Sequence, residues 1–248
     1  MFKEFKYYED IMNKKYLGLL SVMCVAVPQV SWAQEESSAF DFSANAALVS
    51  DYVFRGISQS DENFAIQGGF DIGHESGLYT GVWASSIDFN DGDEANIEID
   101  IYGGYGGEVH DISYDVGAIY YAYPGANSSL NYDFWEAYGS LGYDFGAASA
   151  TVGVSYSPEF FGDAGDAVYT HLGVDVPLPH DFTLSGGVGY QEIDKGENYT
   201  DWNLTVGYDW RDVNFFVSYT DTDLDEPSEC ADGCDARVVL GVSVAFGI

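Results

Sequence analysis

The chain has 248 residues, 41 of them acidic and 8 basic, giving a formal net charge of −33. A surface this acidic repels nucleic acid. Yet 17% of the residues are aromatic and 46% hydrophobic, which excludes the composition of a disordered acidic chain.

In chain order the first element is a leader. Lys3, Lys6, Lys14 and Lys15 precede an apolar run, YLGLLSVMCVAV at 16–27, and small Ser31 and Ala33 stand where a signal peptidase reads. The run is too short to span a bilayer as a helix and reads as a secretory signal over 1–33. Glu4, Glu9 and Asp10 are out of place in the basic part of such a signal, so Met12 makes a better start. Met23 before Cys24 argues against a lipoprotein. Cleavage after Ala33 leaves Arg55, Lys195, Arg211 and Arg237 as the only bases of a mature domain at 34–248. No later run of about 18 apolar residues offers a transmembrane helix.

The mature segment has a period of two instead. In ASATVGVSYS (148–157), Ala148, Ala150, Val152, Val154 and Tyr156 share one face, and Ser149, Thr151, Gly153 and Ser155 the other. The same alternation runs through twelve segments, about 42–55, 64–74, 77–89, 95–107, 111–123, 132–145, 147–157, 166–177, 181–192, 199–210, 212–222 and 235–247. Connections after even-numbered segments are tight, and those after odd-numbered ones are longer and acidic. Aromatic residues crowd the segment ends (Tyr52, Phe54, Tyr123, Trp135, Tyr156, Trp210), and the polar faces carry Gly, Ser, Ala, Thr and Asn rather than solvating charge. A soluble sandwich or lipocalin-like barrel fits this less well. The pattern predicts an all-β fold, a transmembrane antiparallel up-and-down barrel of about 12 strands, with aromatic girdles and both termini periplasmic.

Counting by twos puts Tyr52 and Phe54 toward lipid and Arg55 in the lumen, on the same inward face as Asp51 below it, its expected partner. The expected pore-lining residues are Asp51, Arg55, Asp71, Glu98, Asp100, Asp115, Glu136, His171 and Asp175, with Asp209 also inward. Many other inward positions are glycine or serine, among them Gly81, Gly104, Gly117, Gly153, Gly173, Gly189 and Gly241, small enough to leave room for water or to relieve strand curvature. His171 is the lone strand-interior histidine and points away from lipid, which argues against a membrane hydrolase. Asp221, Asp223 and Asp225 alternate as in a calcium loop, but Glu226 stands where such a loop needs glycine. Cys230 and Cys234 lie close together in a polar stretch; in an exported chain this spacing suggests a small disulfide ring, with two free thiols the alternative and a metal site less favoured.

The stretches LVSDYVFRGISQSDENFAIQGGFDIGHESGLYTGVWASSIDF, ANIEIDIYGGYGGE, YDVGAIYYAYPGA, VGVSYSPEFFG and TDTDLDEPSECADGCDARVVLGVSVAF resemble the proteobacterial TorF family of porin-type proteins, over essentially the whole mature chain. The resemblance implies an outer-membrane barrel of a Gram-negative bacterium with no well-established substrate. One departure is the ending, where Phe246 is followed by Gly247 and Ile248.

Together these readings lead us to expect no enzyme and no cofactor, but a passive porin for small hydrophilic solutes, preferring cations. Its expected partners are outer-membrane lipid, lipopolysaccharide and the barrel assembly machinery. The competing expectation is a structural or adhesive barrel with a closed lumen.

Overall fold

The computed structural model describes residues 39–90, 92 and 95–248; the expected leader and its cleavage point lie outside the described residues. Two short strands, β2 (Val53–Phe54) and β3 (Ile57–Ser58), form a separate hairpin. The other twelve close into one antiparallel barrel: β1 (Phe40–Val49), β4 (Ala65–His74), β5 (Leu78–Ser86), β6 (Ile97–Val109), β7 (Ile112–Ala122), β8 (Phe134–Asp144), β9 (Ser149–Ser157), β10 (Ala167–Leu178), β11 (Phe182–Ile193), β12 (Tyr199–Trp210), β13 (Val213–Thr222) and β14 (Arg237–Gly247). β1 pairs with β4 on one side and β14 on the other, so Ala46 faces Gly68 and Val244. Closure gives every strand two neighbours and leaves no unpaired edge.

At the end where β1 begins and β14 finishes, the connections are tight. Val109 pairs with Ile112 around His110 and Asp111, both at positive φ (51° and 67°), as a two-residue hairpin turn matched to strand twist requires. Pro179 to Asp181 and Arg211-Asp212 make comparable turns between paired strand ends. The opposite end carries the long loops.

The period of two sorts the side chains as the sequence predicts. Ile66, Ile101, Val116, Leu141, Leu204 and Leu240 all project outward and are more than half exposed, an apolar belt around the barrel. Tyr105, Tyr143, Tyr208 and Trp210 are exposed near the tight-turn end, and Tyr120, Trp135, Tyr156 and Tyr219 near the loop end. Tyr52 and Tyr123, expected in the girdle, are instead buried inside, at 3% and 6% exposure.

The inward glycines also differ from expectation, because several are covered by rings rather than by water. Gly81 faces Tyr102 across the β5–β6 ladder, Gly104 faces Tyr79, Gly117 faces Tyr138 and Gly241 faces Phe216. In each case an added Cβ would collide with the opposing ring. A glycine thus gives the ring on the next strand a place to lie against the wall, a cross-strand pair that holds register and fills the barrel.

This pairing makes the inward glycines unequal. At Gly104 a new Cβ would also sit 2.6 Å from the backbone oxygen of Val116, while Gly173 has nothing within 4 Å. Gly104→Ala is expected to cost about 1–3 kcal/mol of stability, and Gly173→Ala to stay within about 0.5 kcal/mol of wild type. Equilibrium unfolding of the detergent-solubilised barrel in denaturant measures both.

Candidate functional site

β1 stops at Val49, and the chain from Ser50 turns into the barrel instead of rising from it. The stop is built from polar contacts. Asp51 Oδ1 accepts from Ser58 Oγ (2.7 Å) and Ser60 Oγ (2.9 Å), while Asp51 Oδ2 accepts from Arg237 Nη1 (3.1 Å). The expected Asp51–Arg55 pair therefore does not form. The segment VFRGIS then folds on itself as β2–β3, with Val53 opposite Ser58 and Phe54 opposite Ile57. Arg55 and Gly56 make the turn at φ of 49° and 83°, and Gly56 could take no side chain because Thr222 and Asp201 crowd it.

Arg55 is at the tip of this hairpin, and its partner is on the far wall. Nη1 and Nη2 donate to Glu136 Oε1 and Oε2 at 2.9 and 2.7 Å, a two-pronged ion pair with both side chains 2% exposed. Nη1 also donates to Gln191 Oε1 (2.8 Å). The guanidinium lies over the rings of Tyr169 (4.2 Å) and Phe54 (4.6 Å), adding cation–π attraction. Glu136 on β8 is five strands from β1 one way round and seven the other, so this contact crosses the lumen. Burial works against the charge on Arg55, but its partners, Glu136 foremost, together outweigh it and raise the guanidinium pKa above its ordinary value.

Behind the tip the hairpin brings apolar surface into the loop-end half of the lumen. Tyr52 packs edge-on to Trp83 and Phe54 edge-on to Tyr121, and Tyr121 stacks on Phe134 at 4.3 Å. Phe160 and Phe161 from the loop before β10 extend the cluster. Tyr52 also donates to Glu98 Oε1 (2.6 Å). Its burial first, and then the charge of Glu98, hold the phenol well above its ordinary pKa, so it remains a donor.

The loop between β13 and β14 holds the hairpin from the other side. Cys230 and Cys234 are disulfide-bonded there. The backbone of Ser58 donates to the carbonyl of Gly233 (2.8 Å), and Thr222 Oγ1 donates to that of Cys234 (2.8 Å). Glu226 Oε1 accepts from the Cys234 amide (2.8 Å). Glu226 and the two cysteines form the one compact metal-ligand group among the described residues, but the sulfurs are bonded to each other and Glu226 serves the backbone.

The expected lumen residues thus fall into separate sets. Asp51, Arg55, Glu98, Asp100 and Glu136 gather at the hairpin, all buried. Nearer the tight-turn end, Asp71 accepts from Tyr102, and Asp115 from Tyr79 (2.7 and 3.0 Å), whose hydroxyl also meets that of Tyr138 (2.6 Å). Asp175, nearer still, accepts from Ser185 (2.6 Å). His171 lies beside Tyr169 with neither ring nitrogen hydrogen-bonded, so nothing orients it as a base. Pattern reading missed Gln191, Tyr169 and Tyr121, which complete the Arg55 socket. Polar or aromatic residues at inward positions near the loop ends of their strands were the available signal.

Removing one partner of a buried pair strands the other charge, at a cost of about 3–5 kcal/mol. Arg55→Ala is expected to release the hairpin while leaving the barrel folded, and Arg55→Ala/Glu136→Gln to recover part of that loss. Amide hydrogen exchange checks this: residues 50–63 should exchange faster in the single variant, with the strands unchanged.

Among solved structures, a KdgM porin is 11% identical and superimposes with a TM-score of 0.58, over 82% of this chain and 99% of that one. A NanC porin is 10% identical with a TM-score of 0.56, over 84% of this chain and all of the other. Another match is described as a KdgM porin in complex with disordered oligogalacturonate (8% identity, TM-score 0.57, covering 83% and 99%). At these identities the likeness is one of fold. No curated protein matches the chain in sequence. The sequence model of one family, described as "Bacterial protein of unknown function (Gcw_chp)", matches residues 33–246, and the chain belongs to that family.

Proposed function

We propose that this chain is an outer-membrane channel of a Gram-negative bacterium, passing small hydrophilic solutes with a preference for cations, and that the β2–β3 hairpin is its constriction. One observation carries the reading: an apolar exterior surrounds an interior whose ionisable groups are mostly acids and whose two inward arginines are each held by carboxylates. Such an exterior is stable against hydrocarbon and costly against water. The termini would then be periplasmic and the long acidic loops outside, where divalent cations can bridge them to lipopolysaccharide. The barrel assembly machinery would insert the chain. The resemblance to the TorF family points the same way.

Inside, Arg55 is neutralised by Glu136, and Arg237 by Asp51 and Glu62. Asp71, Glu98, Asp100, Asp115 and Asp175 are left to set the sign of the field, which draws cations inward. Oligogalacturonate, bound by the KdgM porin of one similar structure, is an anionic oligosaccharide, and this lumen has the wrong sign for it. A second reading, a closed structural barrel, is favoured by the buried aromatic cluster around Tyr52, Trp83, Tyr121 and Phe134.

Planar-bilayer recording in a KCl gradient separates them. Wild type is expected to show a cation-selective reversal potential that shrinks as the Debye length falls from about 10 Å at 0.1 M to about 3 Å at 1 M. Arg55→Ala/Glu136→Gln should raise the conductance. An anion-selective potential contradicts the charge argument, and silence from both proteins supports the closed barrel.

A further inference from the structure

On β6 and β8, three carboxylates are buried where the hairpin meets the wall, and two of them are satisfied. Glu136 holds Arg55 in a two-pronged pair, and Glu98 accepts from Tyr52. The third is Asp100, 1% exposed and turned inward between Glu98 and Tyr102 on β6, and neither of its carboxylate oxygens has a hydrogen-bond partner. Its cross-strand neighbours are Trp83 on β5 and Tyr121 on β7, both inward rings that pack against the hairpin.

An ionised carboxylate buried without a counter-charge costs several kcal/mol, so a fold that keeps one supplies either a proton or a cation. The local charges decide between them. Arg55 and Glu136 cancel, leaving Glu98 and Asp100 as two acids with no basic partner, facing aromatic rings, in a barrel whose acidic interior and loops concentrate cations. Trp83 and Tyr121 can add ring-face attraction to a positive ion. Divalent ions are disfavoured, because among the described residues Asp100 belongs to no group of three Asp, Glu, His or Cys side chains with ligand atoms close together.

We infer that Asp100 is the binding site of a small monovalent cation held beneath the hairpin, and so the selectivity residue of the proposed channel. This rests on the cation-channel reading, but it can be tested on stability without any measurement of current.

The detergent-folded protein is melted at fixed ionic strength and pH while N-methylglucamine chloride is replaced stepwise by KCl. Wild type is expected to show a saturable rise in its thermal midpoint, and Asp100→Asn to lose that rise. A midpoint indifferent to K⁺ in wild type overturns the inference, as does an equal rise in the variant. So does an infrared protonated-acid carbonyl band present in K⁺-saturated wild type and missing from Asp100→Asn. If the asparagine variant does not fold, Asp100→Ser serves in the same comparison, and the wild-type melt alone still decides.

Discussion

A single cation reaching across the barrel organises the loop-end half of this molecule. Arg55 leaves one wall on a two-residue turn and meets Glu136 and Gln191 on others, with the rings of Tyr169 and Phe54 against its faces. A chain this poor in bases has few ways to neutralise a buried acid, and this one is used to draw the hairpin inward. Once the tip is held, Tyr52 and Phe54 are carried onto Trp83 and Tyr121, and the loop containing the disulfide closes over Ser58. The hairpin's share of the interior aromatic cluster, Tyr52 on Trp83 and Phe54 on Tyr121, goes with that crossing.

The same contact accounts for the balance of charge in the lumen. With Arg55 and Arg237 both committed to carboxylates, neither leaves an unpaired positive charge inside the barrel. An arginine that lined an open passage would work against cation passage. Here it acts through position, by setting where the hairpin lies, more than through its own field.

Much of the fold was legible because strands long enough to line a barrel repeat every two residues, and a slip of one position would put every apolar side chain on the wrong face. The segment read at 199–210 matches β12 (Tyr199–Trp210) at both ends, and that read at 166–177 differs from β10 (Ala167–Leu178) by one residue at each end. The first segment failed for an instructive reason. Alternation was continued through Asp51 to Arg55, yet the serine and arginine contacts of Asp51 end the strand at Val49. Arg55-Gly56 between Val53-Phe54 and Ile57-Ser58 is a hairpin signal, but a weaker one than Asn-Gly or Asp-Gly, and the apolar residues around it read equally well as a strand end. Glu136 and Asp100 were placed inward by counting, whereas the meeting of Arg55 with Glu136, 81 positions apart, depends on barrel closure, which no local pattern encodes. Several of the glycine positions likewise read as open space until the register put a tyrosine or phenylalanine opposite them, as at Gly81, Gly104, Gly117 and Gly241.

The central claim, that the first loop lies inside the barrel and is held there, is tested most directly by thiol accessibility in intact vesicles. Val53→Cys, on the half-buried hairpin, and Asn63→Cys, at the exposed end of the same loop, are treated with a bulky membrane-impermeant maleimide, the native cysteines being bonded to each other. The account predicts rapid labelling at 63 and strong protection at 53, lost when Arg55→Ala is added. Equally rapid labelling at both positions in an otherwise wild-type barrel would contradict it.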